Sequence, residues 1–111
     1  MLRFQRAFTL IELMIVMAII AILAAVAISA YANYAARSAD YACLQEAKSY
    51  AESALVVMHQ IDSPGTIPSP ALKACSSLTQ AVDFSTDLKG KSRAPGSAII
   101  TCEMKKAHCY M

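Results

Sequence analysis

Glycine and proline are absent from the first 63 residues: all three glycines and all four prolines lie between Pro64 and Gly96. Nothing in that stretch breaks a helix. Positive charge is missing between Arg6 and Arg37, and between Phe8 and Ile28 the only charged side chain is Glu12. A run of 21 residues with one charge is more apolar surface than the core of a 111-residue chain can absorb. As a helix it spans roughly 32 Å, the thickness of a bilayer's hydrocarbon layer. Also missing are a C-x-x-C spacing and any Ser or Asp arrangement around His59 or His108. Zinc ligation through Cys109 and His108, and nucleophilic catalysis, therefore lack their usual signatures. No enzyme activity, metal or cofactor is expected. The chain has no internal repeat and no low-complexity tract.

What is present is a helix with start and stop signals. Thr9 followed three residues later by Glu12 is the pattern of a capping box. Alanine is abundant up to Asp62-Ser63-Pro64-Gly65, which reads as the stop. The sequence thus predicts one helix from about Phe8 to Ile61, roughly 80 Å long. Cys43, Ala47, Tyr50, Ala51, Ala54, Met58 and Ile61 recur at spacings of three and four, so one stripe should pack under the rest of the chain. Tyr31, Tyr34 and Tyr41 fall where the apolar run gives way to mixed sequence, a placement that suits a membrane interface and later a subunit contact.

After the helix, residues 62–75 hold three prolines and read as a loop. Ala81–Leu88 and Ser97–Met104 read as strands separated by a turn region at Lys89–Gly96, with a short hairpin closing between Cys102 and Cys109. The expectation is α+β: a long N-terminal helix packed on an antiparallel sheet of two or three strands. Arg3 and Arg6 before the apolar run place the N-terminus in the cytoplasm, which puts Cys43, Cys75, Cys102 and Cys109 on the oxidising side. Four cysteines allow three pairings. Cys43–Cys75 would tie the post-helix loop to the helix, and Cys102–Cys109 would staple the last hairpin.

Arg6-Ala7-Phe8-Thr9-Leu10-Ile11-Glu12-Leu13-Met14-Ile15-Val16, continued through Ile22–Ile28 to Tyr31, Tyr34 and Arg37, resembles the prepilin signal of type IV pilins and type II secretion pseudopilins. The resemblance covers about 30 residues. It implies a leader, residues 1–7, removed on the cytoplasmic face by a membrane-bound prepilin peptidase. The scissile bond would be Ala7–Phe8, with N-methylation of Phe8 afterwards. It implies a membrane and assembly helix at 8–30, an amphipathic continuation at 31–61, and a small disulfide-stapled β head at 62–111. Ala7 departs from the family's usual Gly before the cut. Ala21 and Ser29 stand near positions where the family commonly has Gly and Pro, so this helix should be more continuous than those of its relatives.

Glu12 carries an argument independent of resemblance, because a carboxylate inside a membrane helix is costly. Cleavage would create an amine on Phe8, and a neighbouring subunit could offer that amine to Glu12 within an apolar filament core. The plainer alternative is that Glu12 only caps the helix and reaches water. The resemblance implies a pilus subunit serving adhesion, twitching motility or DNA uptake, first in the inner membrane of a Gram-negative bacterium and then in the extracellular filament. The alternatives are a minor pilin or pseudopilin, a DNA-capturing competence pilin, and an uncleaved membrane anchor. Lys89, Lys91, Arg93, Lys105 and Lys106 are candidate DNA contacts if their two clusters converge. Read plainly they are a solvated loop face, and no aromatic residue interleaves the run.

Overall fold

A computed structural model describes residues 6–60 and 65–111. The remainder of the leader with Arg3, the expected helix end at Ile61, and Asp62 to Pro64 of the stop signal lie outside the described residues. The chain divides into two compact units, residues 1–33 and 34–111.

Helix α1 runs Leu10–Met58, 49 residues. It begins two residues later than expected because Thr9 is the cap. The Thr9 hydroxyl accepts the Glu12 amide at 3.3 Å, and the Glu12 carboxylate accepts the Thr9 amide at 2.9 Å, so Phe8 precedes the helix. At the other end the His59 amide still reaches the Leu55 carbonyl at 3.0 Å. The next amide, Gln60, tightens onto Val57 at 3.3 Å, the i→i−3 closure of a helix end.

Within the first unit, large apolar side chains from Leu10 to Ile28 are all at least half exposed. In the second unit Cys43, Ala47, Tyr50, Ala51 and Ala54 are buried, with Met58 packed at the margin. That is the stripe read from the sequence. Its members are mostly small, so the backbone it meets comes close.

Four antiparallel strands form a meander in the order β1-β2-β3-β4: β1 Cys75–Leu78, β2 Leu88–Ser92, β3 Ile99–Glu103 and β4 His108–Tyr110. The core between sheet and helix is completed by Leu78, Leu88, Ile100 and Met104.

The strand assignments need correction. Of the expected strand at Ala81–Leu88, residues 81–87 are a connection and only Leu88 is in a strand, because Asp83 folds back on its own backbone. Its Oδ1 accepts the Ser85 and Thr86 amides at 2.9 and 2.7 Å and the Ser85 hydroxyl at 2.8 Å. The strand lies one element later, over the expected Lys89–Gly96 turn. In β2 the inward residues are Leu88, Gly90 and Ser92, so apolar alternation is nearly silent. Gly90 is required there by close approach: a Cβ would stand 2.9 Å from Leu78 Cδ1 and 3.1 Å from the Ser77 carbonyl. Cys75 to Leu78, expected partly as loop, is an edge strand with a bulge between Cys75 and Ser77. Here Ser76 turns its hydroxyl to the Lys91 and Ser92 carbonyls at 3.1 and 3.3 Å. The sheet accordingly has four strands, not two or three. Ile99–Glu103 falls inside the expected final strand.

Candidate functional site

Two groups of residues carry candidate function, one in each unit. The first surrounds the N-cap of α1. Residues 6–9 have no regular structure, so the Ala7–Phe8 bond lies outside the helix, and Phe8 is 90% exposed. Arg6, Ala7, Phe8 and Glu12 line one shallow depression. The Glu12 carboxylate therefore lies next to the bond whose hydrolysis would release an amine, and it is already oriented by its hydrogen bond to Thr9. The helix N-terminus favours its negative charge as well. Chemically the arrangement offers an accessible peptide bond and a fixed carboxylate one helical turn away.

Past this point α1 runs without interruption through Ala21 and Ser29. Ser29 directs its hydroxyl back to the Val26 carbonyl at 2.9 Å, so this polar group asks nothing of its surroundings. Tyr31, Tyr34 and Tyr41 are well exposed. By helical phase, Tyr34 and Tyr41 project away from the buried stripe.

The second group is the head. Cys43 pairs with Cys75 at a Cα separation of 4.7 Å, and Cys102 pairs with Cys109, its register partner across β3 and β4, at 4.0 Å. Between these staples the helix holds the head through polar side chains that sequence reasoning missed. Glu46 accepts the Lys73 and Ala74 amides at 3.0 and 2.6 Å. Tyr50 donates its hydroxyl to the Pro68 carbonyl at 2.8 Å and accepts the Ala81 amide at 3.0 Å. Asp40 accepts the Ser97 and Ala98 amides at 2.9 and 3.0 Å. The Ala98 amide is the largest cause holding the Asp40 carboxyl below the ordinary aspartate range, and the Ser97 amide adds to it. The signal was available: Asp40 and Glu46 stand three residues either side of Cys43, flanking the buried stripe.

The five basic residues do not gather into one patch. Lys89 and Lys91 project from the outward face of β2. Arg93 is bound back, its guanidinium donating to the Leu72 carbonyl at 3.0 Å. Lys105 and Lys106, in the turn between β3 and β4, share a depression with Asp87 and Glu103. On the outward face, Lys89 is in register with Thr101 and Thr101 with Tyr110, while Lys91 is in register with Ile99. Aromatic and basic groups that are distant in sequence thus share one surface. His59 lies at the helix end, its Nδ1 2.8 Å from the Leu55 carbonyl and its ring edge-on to Phe84 at 5.0 Å between centroids. Among the described residues no group of three or more His, Cys, Asp or Glu is placed to hold a metal ion.

Residues 2–28 match the family model described as the prokaryotic N-terminal methylation motif. This segment is the prepilin signal of type IV pilins, and the match ends at Ile28. No curated protein and no solved structure matches the chain.

Proposed function

We propose that this chain is a precursor processed and polymerised through its N-terminal helix into a type IV pilus or a related pseudopilus. The observation that carries this reading is the prepilin signal leading without a break into the apolar first part of α1, Leu10–Ile28, whose one acid, Glu12, is held at the N-cap. Inserted with its N-terminus in the cytoplasm, the precursor presents Ala7–Phe8 to the prepilin peptidase. Cleavage leaves a charged amine on Phe8, which is then methylated and stays cationic. In the assembled filament Glu12 exchanges the Thr9 amide for the Phe8 ammonium of a neighbouring subunit. The exchange pairs two opposite charges that the apolar filament core would otherwise leave uncompensated, and removing one partner of such a pair costs about 3–5 kcal/mol. Glu12 thereby sets the axial register of one subunit against the next. The exposed apolar side chains of the helix, which no other described residue covers, are covered first by lipid and then by other helices. Adhesion, twitching motility and DNA uptake are the roles open to such a filament, as a major subunit or a minor one.

The test is mass spectrometry on wild type and Glu12→Gln, in membranes and in sheared filaments. Wild type should begin at methylated Phe8 in both fractions. Glu12→Gln should be cleaved normally yet be missing from filaments. A wild-type chain beginning at Met1 would reject processing, and abundant Glu12→Gln filaments would reject the register role.

A further inference from the structure

We infer that Cys109 is a thiol-exchange site, the sulfur through which an external thiol opens the Cys102–Cys109 bond and releases β4. The two disulfides of the head differ in access. Cys43, Cys75 and Cys102 are fully buried, whereas Cys109 is partly exposed. Exchange depends on which sulfur a thiolate can reach, and the thiolate must approach from behind it, opposite the sulfur that leaves. Leu88, Cys102 and Cys109 form one inward row across β2, β3 and β4. An approach behind Cys102 therefore runs into β2, where Leu88 is itself buried. An approach behind Cys109 comes past the edge of the sheet, since no described strand pairs beyond β4. The Cys43–Cys75 bond spans from α1 to β1, so backbone stands behind both of its sulfurs. Although β1 is also an edge strand, Cys75 is closed off, and Glu46 holds the Lys73 and Ala74 amides just before it.

Backbone strain loads the same bond. Ala107, which joins the turn to β4, has a φ of 49°, a left-handed conformation that crowds the Cβ of an L-residue. Among the described residues no other non-glycine residue has a positive φ. β4 has three residues and turns His108 and Tyr110 outward, so Cys109 is its anchor into the core. The closed disulfide holds Ala107 in place, and opening it relieves the strain.

The step balances as an exchange. The external thiolate bonds to Cys109 Sγ, the Cys102–Cys109 bond breaks, and its electron pair leaves on Cys102, which takes a proton from water. A second external thiol then removes the first as a disulfide and frees Cys109. In reverse, with the rest of the head assembled, the Cys109 thiolate attacks an external disulfide and Cys102 resolves the adduct. One sulfur serves both directions, and Cys43–Cys75 keeps the head on the helix throughout.

The full chain in detergent micelles is treated with graded reduced glutathione, quenched with acid, alkylated and mapped by mass spectrometry. Polymerisation is not required, so failure here leaves the filament reading intact. Glutathione should appear on Cys109, with Cys102 as the free thiol, at least about tenfold faster than any change at Cys43 or Cys75. Amides of β4 should lose exchange protection while those of β1 and β2 keep it. In Cys102→Ala, glutathione disulfide should label Cys109. In Cys109→Ala it should label Cys102 at least about tenfold more slowly. Unchanged protection of β2 checks the fold of each variant, and the wild-type reaction still decides if either misfolds. Ala107→Gly, free of the strain, should need severalfold more glutathione to open. Cys109 as the exchange site is overturned by adducts that appear first on Cys102, by both disulfides opening together, or by no opening before the whole head unfolds. Ala107→Gly that opens as readily as wild type would overturn the strained closure.

Discussion

Glu46→Ala tests how the head is fastened to the helix. Glu46 is half-buried, and its two oxygens each take one backbone amide from the segment just before β1. The Ala74 bond at 2.6 Å is short and partly buried, so its loss leaves an amide with little access to replacement water. A hydrogen bond to a charged group contributes about 1.5–3 kcal/mol, and the short geometry supports a value near 2 for Ala74. The Lys73 amide, at 3.0 Å and exposed, regains water and should account for well under about 1 kcal/mol. Because Cys75 is tied to Cys43, the segment cannot leave the helix, and the effect should stay local. Amide hydrogen exchange on the micelle-bound chain is the assay. Ala74 should exchange roughly 30-fold faster in Glu46→Ala, the factor equivalent to about 2 kcal/mol, and Lys73 only a few-fold faster. Amides of β3 should not change. If Ala74 keeps its protection, or if β3 loses protection along with it, the carboxylate is not the local clamp described.

Tyr50→Phe removes one acceptor and one donor while keeping the ring in the core. The buried Ala81 amide is then left unpaired, which should cost about 1–3 kcal/mol and lower the melting temperature of the head. Asp40 gives a pH dependence. Its carboxyl titrates lower in the folded chain than unfolded, so its contribution is complete above the ordinary aspartate value of about 3.9 and is lost as pH falls through the lower folded value. Ser97 and Ala98 should lose exchange protection across that acid window in wild type, whereas Asp40→Asn should show no such step. Finally, with Ala at 21 and Ser at 29 the helix should stay continuous in the filament. A filament density map with non-helical backbone between these residues would refute that.

The parts legible in the sequence were those that repeat along one element. The absence of Gly and Pro, the Thr9–Glu12 spacing and the three-and-four stripe each concern neighbours within a helix turn, and each is found in α1. The sheet was read poorly because its alternation is carried by residues with little apolar signal. In β2 one inward position is Gly90, chosen by the closeness of Leu78, a contact between residues twelve apart. Val82-Asp83-Phe84 looked like a strand by composition, yet the Asp83 carboxylate offers its backbone a turn that outcompetes a ladder. The juxtaposition of Lys89 and Tyr110 on the outward face was illegible for the same reason. Lys89 and Tyr110 become neighbours only through two strand registers that no local pattern reveals.

The head's small core explains why so much of its fastening is polar and covalent. Ala47, Ala51 and Ala54 bring the sheet close to the helix but bury little area each, leaving Leu78, Leu88 and Ile100 of the sheet, with Met104 just after β3, as the main apolar side chains packed against them. On a chain-entropy model the Cys43–Cys75 loop contributes about 3.7 kcal/mol and the Cys102–Cys109 loop about 2.4. Together that rivals the whole stability of a typical small domain, about 5–15 kcal/mol. Folding of the head is thus coupled to thiol oxidation, which the reducing side of a membrane does not favour. The apolar segment ahead of it, by contrast, needs no oxidant to become helical. On the proposed reading the chain inserts first and sets its head second, because all four of its cysteines lie beyond the apolar segment.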